Sequence, residues 1–206
     1  MSDASPLFEA IETHDLDSLA ALLTSGSDPN VLKSELPQWS PLHEAIEQLE
    51  DGGSIDALVL LLRYGARVDG AGGDTPLLMA LYRAQPQAVQ VLLAAGAETN
   101  VRGPEGDSPL RFAVEHGDLA IAALLLRCGA WKTINDTGAP SFASALGIAA
   151  KRVDVPMIAL LLQAGADPAV RDADHMTARE RLPPRTADNA KAWDAAEALL
   201  SASTVA

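Results

Sequence analysis

The stretch of the chain that decides the fold reads Gly73-Asp74-Thr75-Pro76-Leu77-Leu78-Met79-Ala80 and, further on, Leu92-Leu93-Ala94-Ala95-Gly96. Its first part has the features of a helix start, because a Thr hydroxyl accepts an orphan backbone N–H and Pro at the first helical position has none to leave unsatisfied. Its second part has the features of a helix end, since Gly adopts a left-handed conformation that costs other residues roughly 1 kcal/mol or more. The stretch therefore predicts two short helices joined by a turn.

Both parts recur along the chain. The pattern Leu-Leu-x-x-Gly occurs with its glycine at Gly26, Gly65, Gly96, Gly129 and Gly165. The spacings of 39, 31, 33 and 36 residues average near the period that is typical of stacked repeat arrays. The helix-start pattern recurs as Ser5-Pro6, Ser40-Pro41, Thr75-Pro76 and Ser108-Pro109. Second helices are predicted over 16–24, 55–64, 86–95, 119–128 and 155–164.

This repeated unit, with Ser40-Pro41-Leu42-His43 and Gly96-Ala97-Glu98-Thr99-Asn100 as its clearest marks, resembles an ankyrin repeat, and its Ala-rich style is similar to stand-alone bacterial ankyrin proteins. The resemblance implies an all-α, ankyrin-like solenoid of about six helix-turn-helix repeats with protruding hairpin loops and degenerate terminal caps. We expect one repeat domain over 1–206, with approximate units 2–33, 34–69, 70–102, 103–135, 136–170 and 171–202.

Two insertions and one missing glycine break the regular pattern. The segments 49–54 and 133–143 lengthen the second and fifth copies, and the last unit, which ends in Trp193-Asp194-Ala195-Ala196, has no glycine that would lead into another repeat. Because an array needs end repeats whose outer side tolerates water, the last unit is predicted to be a cap.

The charge balance narrows the class of partner. Lys and Arg number 15 against 28 Asp and Glu, which gives a formal net charge of -13. Nucleic acid is an unfavourable partner for such a chain, because phosphate binding relies on clustered cations. The negative field favours a basic protein partner, although acidity can also serve solubility alone.

No residue pattern indicates a cofactor or a membrane segment. The single Cys128 allows no internal disulfide, no Cys/His cluster has metal-ligand spacing, and no apolar run reaches the roughly 20 residues that span a bilayer. We expect a monomeric, cytoplasmic protein without a cofactor, and a Cys128 side chain packed inside its repeat.

The histidines do not indicate an enzyme. His14, His43, His116 and His175 lie in different repeats, and none has a nucleophile or carboxylate at the spacing of a catalytic motif. For His43 the ankyrin resemblance implies a structural role, with the imidazole hydrogen-bonded to backbone between adjacent repeats.

The resemblance also implies non-covalent binding of another protein through the concave face, which hairpin tips and the exposed sides of the first helices form. The residues at these positions are Trp39, Glu47, Gln48, Asp74, Tyr82, Arg83, Glu105, Asp107, Glu115, His116, Lys151 and Arg152. Trp39 and Tyr82 carry the most weight, because large aromatic side chains are over-represented among interface hot spots. Trp131 is a third candidate anchor, with packing over the loop that follows it as the alternative.

Three roles remain open from the sequence. The first is a dedicated binder, such as an inhibitor, an immunity protein or a regulator of an enzyme. The second is a structural or chaperone-like stabiliser, and the third is an enzyme whose site matches no known motif. The fold alone does not choose among partners, since function depends on the surface that a shared scaffold carries.

Overall fold

The computed structural model describes residues 5–34, 38–70, 75–104, 106–137 and 143–202, and every regular element in these ranges is helical. The α-helices are α1 Pro6–Glu12, α2 Leu16–Thr24, α3 Pro41–Glu47, α4 Ile55–Arg63, α5 Pro76–Tyr82, α6 Pro86–Ala94, α7 Pro109–Glu115, α8 Leu119–Arg127, α9 Ala145–Lys151, α10 Val155–Gln163 and α11 Ala190–Ala202, with a 3₁₀ helix at Arg179–Arg181. The predicted all-α class is confirmed. The chain divides into two compact units, Met1–Glu98 and Thr99–Ala206, which are described separately.

Unit 1 contains three helix pairs. Its first helices pack side by side in the order α1, α3, α5, and its second helices in the order α2, α4, α6. The leucine that follows each helix-opening proline, Leu7, Leu42 or Leu77, is fully buried. Burying each such side chain stabilises the fold by about 1.5–3 kcal/mol. The core of unit 1 is therefore a stack of equivalent leucines.

Unit 2 continues the same pattern and then changes it. Helix α7 packs on α9, and α8 on α10, as in unit 1. After α10 comes the 3₁₀ helix, which packs on α9, and then α11, which packs on α10. The last repeat thus has a short 3₁₀ helix where the other repeats have a seven-residue first α-helix.

Side-chain caps fix the helix starts. Thr75 and Ser108 accept backbone N–H groups at the starts of α5 and α7, at the positions that the sequence predicts. Three second helices, α2, α8 and α10, have an aspartate as N-cap. Asp118 Oδ1 accepts from Ile121 N–H, and Asp154 Oδ1 accepts from Met157 N–H, at 2.9 and 3.1 Å. These carboxylates also complement the positive end of each helix dipole.

The repeated glycines end the second helices as predicted. Gly26, Gly65, Gly96, Gly129 and Gly165 have φ between 90° and 102°. Four of the five predicted second helices end one residue earlier than the pattern suggests, because the residue before the glycine serves as the C-cap. Cys128 is one of these C-caps, and the prediction that it is packed is wrong: it lies beyond the last helical residue of α8 and is exposed.

Side chains in the loops link each repeat to the next within a unit. In unit 1, Arg67 N–H donates to Asn30 Oδ1 at 2.7 Å, and Glu98 N–H donates to Asp69 Oδ1 at 2.8 Å. Asn30 also donates from its amide nitrogen to Gly65 O at 3.1 Å. In unit 2 the same role falls to Asn100 and Asn135. This series of Asn and Asp side chains, the loop ladder, holds successive loops in register.

Candidate partner-binding site

The candidate residues of unit 1 lie at the ends of its first helices. Glu47 is the last residue of α3, Gln48 is its C-cap, Tyr82 is the last residue of α5, and Arg83 is its C-cap. We call these four residues the first-helix face. They lie together because α3 and α5 pack side by side and end at the same level of the repeat. Asp74 and Glu105 fall outside the described residues.

An ion-pair cluster surrounds this face. Arg83 Nη2 lies 2.9 Å from Glu47 Oε2, and Arg83 Nη1 lies 3.8 Å from Glu50 Oε2. Lys33 Nζ lies 2.8 Å from Glu12 Oε1 and 2.7 Å from Glu44 Oε2. Two of the predicted residues, Glu47 and Arg83, therefore form an ion pair with each other.

Gln48 connects the first repeat to the second. Its amide nitrogen donates to Glu44 Oε1 at 2.9 Å, and its Oε1 lies 3.1 Å from His14 Nε2. Lys33 Nζ also lies 5.3 Å from the centre of the Phe8 ring, within cation–π range. Long side chains that would otherwise be mobile are held in place at this surface.

The pKa of Glu47 is raised. Burial is the largest cause, because it penalises the charged carboxylate, and the neighbouring carboxylates Glu50, Glu44 and Asp51 add to it, while Arg83 opposes the shift. The pKa of Lys33 is also raised: burial opposes this shift, but Glu12 and Glu44 both stabilise the charged ammonium. Burial thus favours the neutral form of Glu47, whereas ion pairing favours the charged form of Lys33.

The two aromatic candidates of unit 1 differ in exposure. Tyr82 is 38% exposed, whereas Trp39 is half-buried and its backbone carbonyl accepts a hydrogen bond from Lys33 N–H at 2.9 Å. Since Trp39 and Lys33 bridge the ends of one loop, Trp39 contributes to the loop as well as to the surface. Tyr82 is the more accessible of the two.

Most of the described candidates of unit 2 contact a neighbouring group, and Lys151 is the exception. Arg152 Nη1 donates to the backbone carbonyl of Glu115 at 2.6 Å. His116 stacks on Phe112 with ring centres 4.0 Å apart, and its Nδ1 lies 2.9 Å from Phe112 O. Lys151 is exposed and forms no ion pair with another described residue. Asp107 closes its loop through its carbonyl, which accepts from Gly103 N–H at 2.8 Å.

His43 is buried, with 2% of its surface exposed. Ser40 N–H donates to His43 Nδ1 at 3.3 Å, and Ser40 Oγ lies 2.8 Å from the same nitrogen. These contacts lie within one repeat and form part of a capping box at the start of α3. The burial of His43 fits the expected structural role, but these hydrogen bonds join residues of one repeat, whereas the resemblance implies a bond between adjacent repeats.

Sequence reasoning missed the partners of the charged candidates. Glu50 contacts Arg83, and His14 contacts Gln48. Lys33 pairs with Glu12 and Glu44 in the same ion-pair cluster. None of Glu50, His14 and Lys33 lies in a recognisable motif. The signal available was indirect: Glu50 lies inside the insertion 49–54, which directly follows α3. Among the described residues, no three His, Cys, Asp or Glu side chains come together to hold a metal ion. None of the described helices is long and apolar enough to cross a membrane.

Comparison with known proteins identifies the repeats. The sequence profile of the family described as ankyrin repeats matches three times, over residues 7–103, 50–136 and 80–172. The chain belongs to the ankyrin-repeat family. Ankyrin repeats are protein-interaction modules, so binding of a protein partner follows at the level of the family.

Curated relatives share the repeats over part of their length. Ankyrin repeat and SOCS box protein 16 of Homo sapiens is 38% identical over 149 residues, which are 72% of this chain and 32% of that protein. Ankyrin repeat and SOCS box protein 11 of Mus musculus is 34% identical over 124 residues, 59% of this chain and 36% of that protein. The chain thus spans about a third of the length of these two relatives.

Solved structures share the fold over nearly the whole chain. An ankyrin repeat domain from Acinetobacter baumannii AYE has a TM-score of 0.79 and 22% identity, covering 98% of this chain and 99% of that one. A chain from the complex of the predatory endopeptidase Bd0816 from Bdellovibrio bacteriovorus with the immunity protein Bd3460 has a TM-score of 0.70 and 24% identity, covering 97% and 98%. At these identities the likeness shows the fold alone.

Proposed function

We propose that this ankyrin-repeat protein binds one dedicated partner protein, and that the first-helix face of unit 1 is part of the binding surface. The observation that carries the proposal is an exposed tyrosine, Tyr82, set among charged side chains that ion pairs already hold in place. A surface ordered before binding loses less conformational entropy when the partner arrives. Exposed tyrosines surrounded by a polar rim are typical of interface hot spots.

The charges around Tyr82 favour a basic partner. Four carboxylates, those of Glu12, Glu44, Glu47 and Glu50, share the two cations Lys33 and Arg83, so the cluster keeps a net negative charge. A basic partner surface is attracted to such a cluster and can compete for its carboxylates. The whole chain has the same sign, with a formal charge of -13.

We place the protein among inhibitors, immunity proteins and regulators rather than general scaffolds. In support, one protein of the same fold comes from a complex of an endopeptidase with an immunity protein. The described site residues of unit 1 offer hydrogen bonds, charge and an aromatic ring. Non-covalent binding is the chemistry that such a surface supplies.

Affinity purification from the native lysate tests this proposal. We expect the wild-type protein to capture one stoichiometric basic protein, and a Trp39→Ala, Tyr82→Ala double variant to lose it while keeping its far-UV circular dichroism. The matched control is Val59→Ala, because Val59 is 46% exposed but lies on the second helix α4. Unchanged capture by the double variant would disprove the assignment of the face, and stabilisation of many unrelated proteins would indicate a chaperone-like role instead.

A further inference from the structure

The loop after α8 is two residues longer than its counterparts. In three other repeats, the Asn or Asp of the loop ladder is the fourth residue after the helix-ending glycine. The sequences are Gly-Ser-Asp-Pro-Asn over 26–30, Gly-Ala-Arg-Val-Asp over 65–69 and Gly-Ala-Glu-Thr-Asn over 96–100. After α8 the sequence is Gly-Ala-Trp-Lys-Thr-Ile-Asn over 129–135. The ladder itself shows where the added residues lie.

The loop ladder skips Trp131. In unit 1 the backbone N–H that donates to the ladder belongs to the second residue after the glycine. After α8 the donor is instead Lys132, the third residue after Gly129, whose N–H lies 3.1 Å from Asn100 Oδ1. After α10 the donor is again the second residue after the glycine, Asp167, whose N–H lies 2.8 Å from Asn135 Oδ1. Trp131 occupies the ladder position by sequence and is displaced from it, so its side chain belongs to a bulge.

The bulge is held on both sides. The Asn100 side chain accepts from Lys132 N–H and donates to Gly129 O at 3.0 Å, so one amide group closes the loop on either side of Trp131. The flanking residues Ala130 and Ile134 are buried, at 0% and 4% exposure. A closed loop between two buried anchors restricts the backbone, which prepares the indole at its apex for binding.

Trp131 is nevertheless exposed. It has 59% of its surface accessible, the highest value among the large hydrophobic residues exposed in the described part of the chain. Of the loop that follows, the described residues 132–137 leave the indole largely open to solvent. An indole that is rigidly presented and largely open to solvent matches the aromatic anchors that dominate binding energies at interfaces.

Two cations flank Trp131 in the sequence, although the chain as a whole is acidic. Lys132 Nζ lies 6.0 Å from the centre of the indole ring, and Arg127 is an exposed residue of the last turn of α8. No carboxylate lies in the sequence from Arg127 to Lys132, and neither cation forms an ion pair with another described residue. We call Arg127, Trp131 and Lys132 the bulge surface.

We propose that the bulge surface is a second docking site, and that it binds an acidic peptide segment of a partner protein in which an apolar side chain is flanked by carboxylates. The apolar side chain covers the indole, and the carboxylates pair with Lys132 and Arg127. Charge complementarity selects this occupant, because a basic segment would meet two cations that form no ion pair with another described residue. The bulge surface follows the second helix α8, whereas the first-helix face lies at the ends of the first helices α3 and α5. This proposal therefore does not depend on whether the first-helix face binds a partner.

Selection from a random peptide library displayed on phage tests the proposal. The wild-type protein is the bait, and a variant lacking Trp131 and Lys132 is used for counter-selection. The deletion leaves Gly-Ala-Thr-Ile-Asn, which restores the four-position spacing of the other repeats. Selected peptides are then labelled, and their affinities for wild type, Trp131→Ala, Lys132→Gln and Tyr82→Ala are measured by fluorescence polarisation.

We expect peptides that contain Asp or Glu beside an apolar residue, and we expect Trp131→Ala to weaken their binding by about tenfold or more. Lys132→Gln, added salt, and replacement of the peptide carboxylates by amides should each weaken peptide binding relative to wild type, while Tyr82→Ala leaves peptide binding unchanged. Trp131→Ala should keep its melting temperature within about 2 °C of wild type. A large fall in that temperature, Trp131-dependent peptides that are basic, the absence of any Trp131-dependent peptide, or Trp131-dependent self-association in sedimentation would each overturn the proposal.

Discussion

Arg83 and Glu47 bind each other across two neighbouring repeats, with Arg83 Nη2 2.9 Å from Glu47 Oε2. Both residues are candidates for partner binding, yet each is the other's partner in the free protein. The pair joins the end of α3 to the end of α5 and holds both side chains beside Tyr82. A partner that uses either charge must therefore exchange one ion pair for another, which favours selectivity over raw affinity.

The Arg83–Glu47 pair is predicted to be asymmetric. Removing Arg83 leaves Glu47 beside other carboxylates, whereas removing Glu47 relieves a group whose pKa burial already raises. We expect Arg83→Gln to lower the free energy of unfolding by about 0.5–1 kcal/mol, and Glu47→Gln to lower it by less than half as much. Urea unfolding of both variants and of the double variant measures this. Equal effects of the two single substitutions would contradict it.

The raised pKa of Glu47 also has a pH signature. Because the folded state binds this proton more tightly than the unfolded state, the contribution of Glu47 to stability decreases as pH rises through the carboxylate range. The stability of Glu47→Gln relative to wild type should therefore improve as pH rises above about 4. Urea unfolding across this range checks the sign.

The sequence predicts the helix pairs because their signals are local. Thr75-Pro76 and Gly96 act through their own backbone, so each helix start or end is visible within a few residues of sequence. The ion pairs are not local. Lys33 reaches Glu12 and Glu44, which lie in different helices, and many pairings of long side chains fit one repeat pattern.

The role of Trp131 is only partly predictable from the sequence. Its position in sequence aligns with the residues after Gly65-Ala66 and Gly96-Ala97, and this alignment marks it as unusual. Only the hydrogen bond from Lys132 N–H to Asn100 shows that the ladder bypasses it. The exposure of Trp131 accompanies this shift in register. The shift depends on hydrogen bonds between two loops, which the sequence alone does not show.

The turn between paired helices offers a stabilising substitution. Ala84 has a φ of 50°, in the left-handed region, whereas Gly117 provides the same turn in another repeat with a φ of 71°. A side chain in this region costs roughly 1–2 kcal/mol, of which the greater freedom of unfolded glycine cancels part. We expect Ala84→Gly to raise the free energy of unfolding by up to about 1 kcal/mol.

The matched substitution is Gly117→Ala, which replaces glycine by alanine at the equivalent turn. A Cβ added at Gly117 would lie 2.9 Å from Arg152 Nη2, so Gly117→Ala adds displacement of the Arg152 side chain to backbone strain. We expect it to lower the free energy of unfolding by about 1 kcal/mol or more. If both substitutions shift the urea midpoint in the same direction, backbone conformation does not limit this turn.

Gly70 is predicted to be required for space as well as conformation. Its φ is 67°, and an added Cβ would lie 2.8 Å from His43 Cε1 and 3.2 Å from Pro76 Cδ. Gly65 has a φ of 92°, but a Cβ there meets nothing within 4 Å. Gly70→Ala should therefore lower the free energy of unfolding more than Gly65→Ala, by about 1 kcal/mol or more. Thermal and urea unfolding of the two variants compare strain with and without a clash.

Asp172 is predicted to make the stability of the last repeat sensitive to acid. Its residue surface is 7% exposed, and its Oδ2 lies 2.6 Å from the Arg181 guanidinium. Burial works against its ionisation, but hydrogen bonds from Met176 N–H, Arg181 and Asp174 N–H outweigh it, so the pKa of Asp172 is lowered. Its stabilising contribution is therefore complete above the unfolded pKa of about 4 and is lost as pH falls through the lower folded pKa.

Asp172→Asn should lower the free energy of unfolding by about 1 kcal/mol at neutral pH, because Arg181 loses its buried counter-ion. The difference from wild type should shrink as pH falls below about 4, where the wild-type carboxylate takes up a proton. Asp174→Asn is the control, since Asp174 contacts the same Arg181 from a largely exposed side chain and should have a smaller effect. A difference between wild type and Asp172→Asn that stays constant down to about pH 2 would show that Asp172 acts through shape rather than charge.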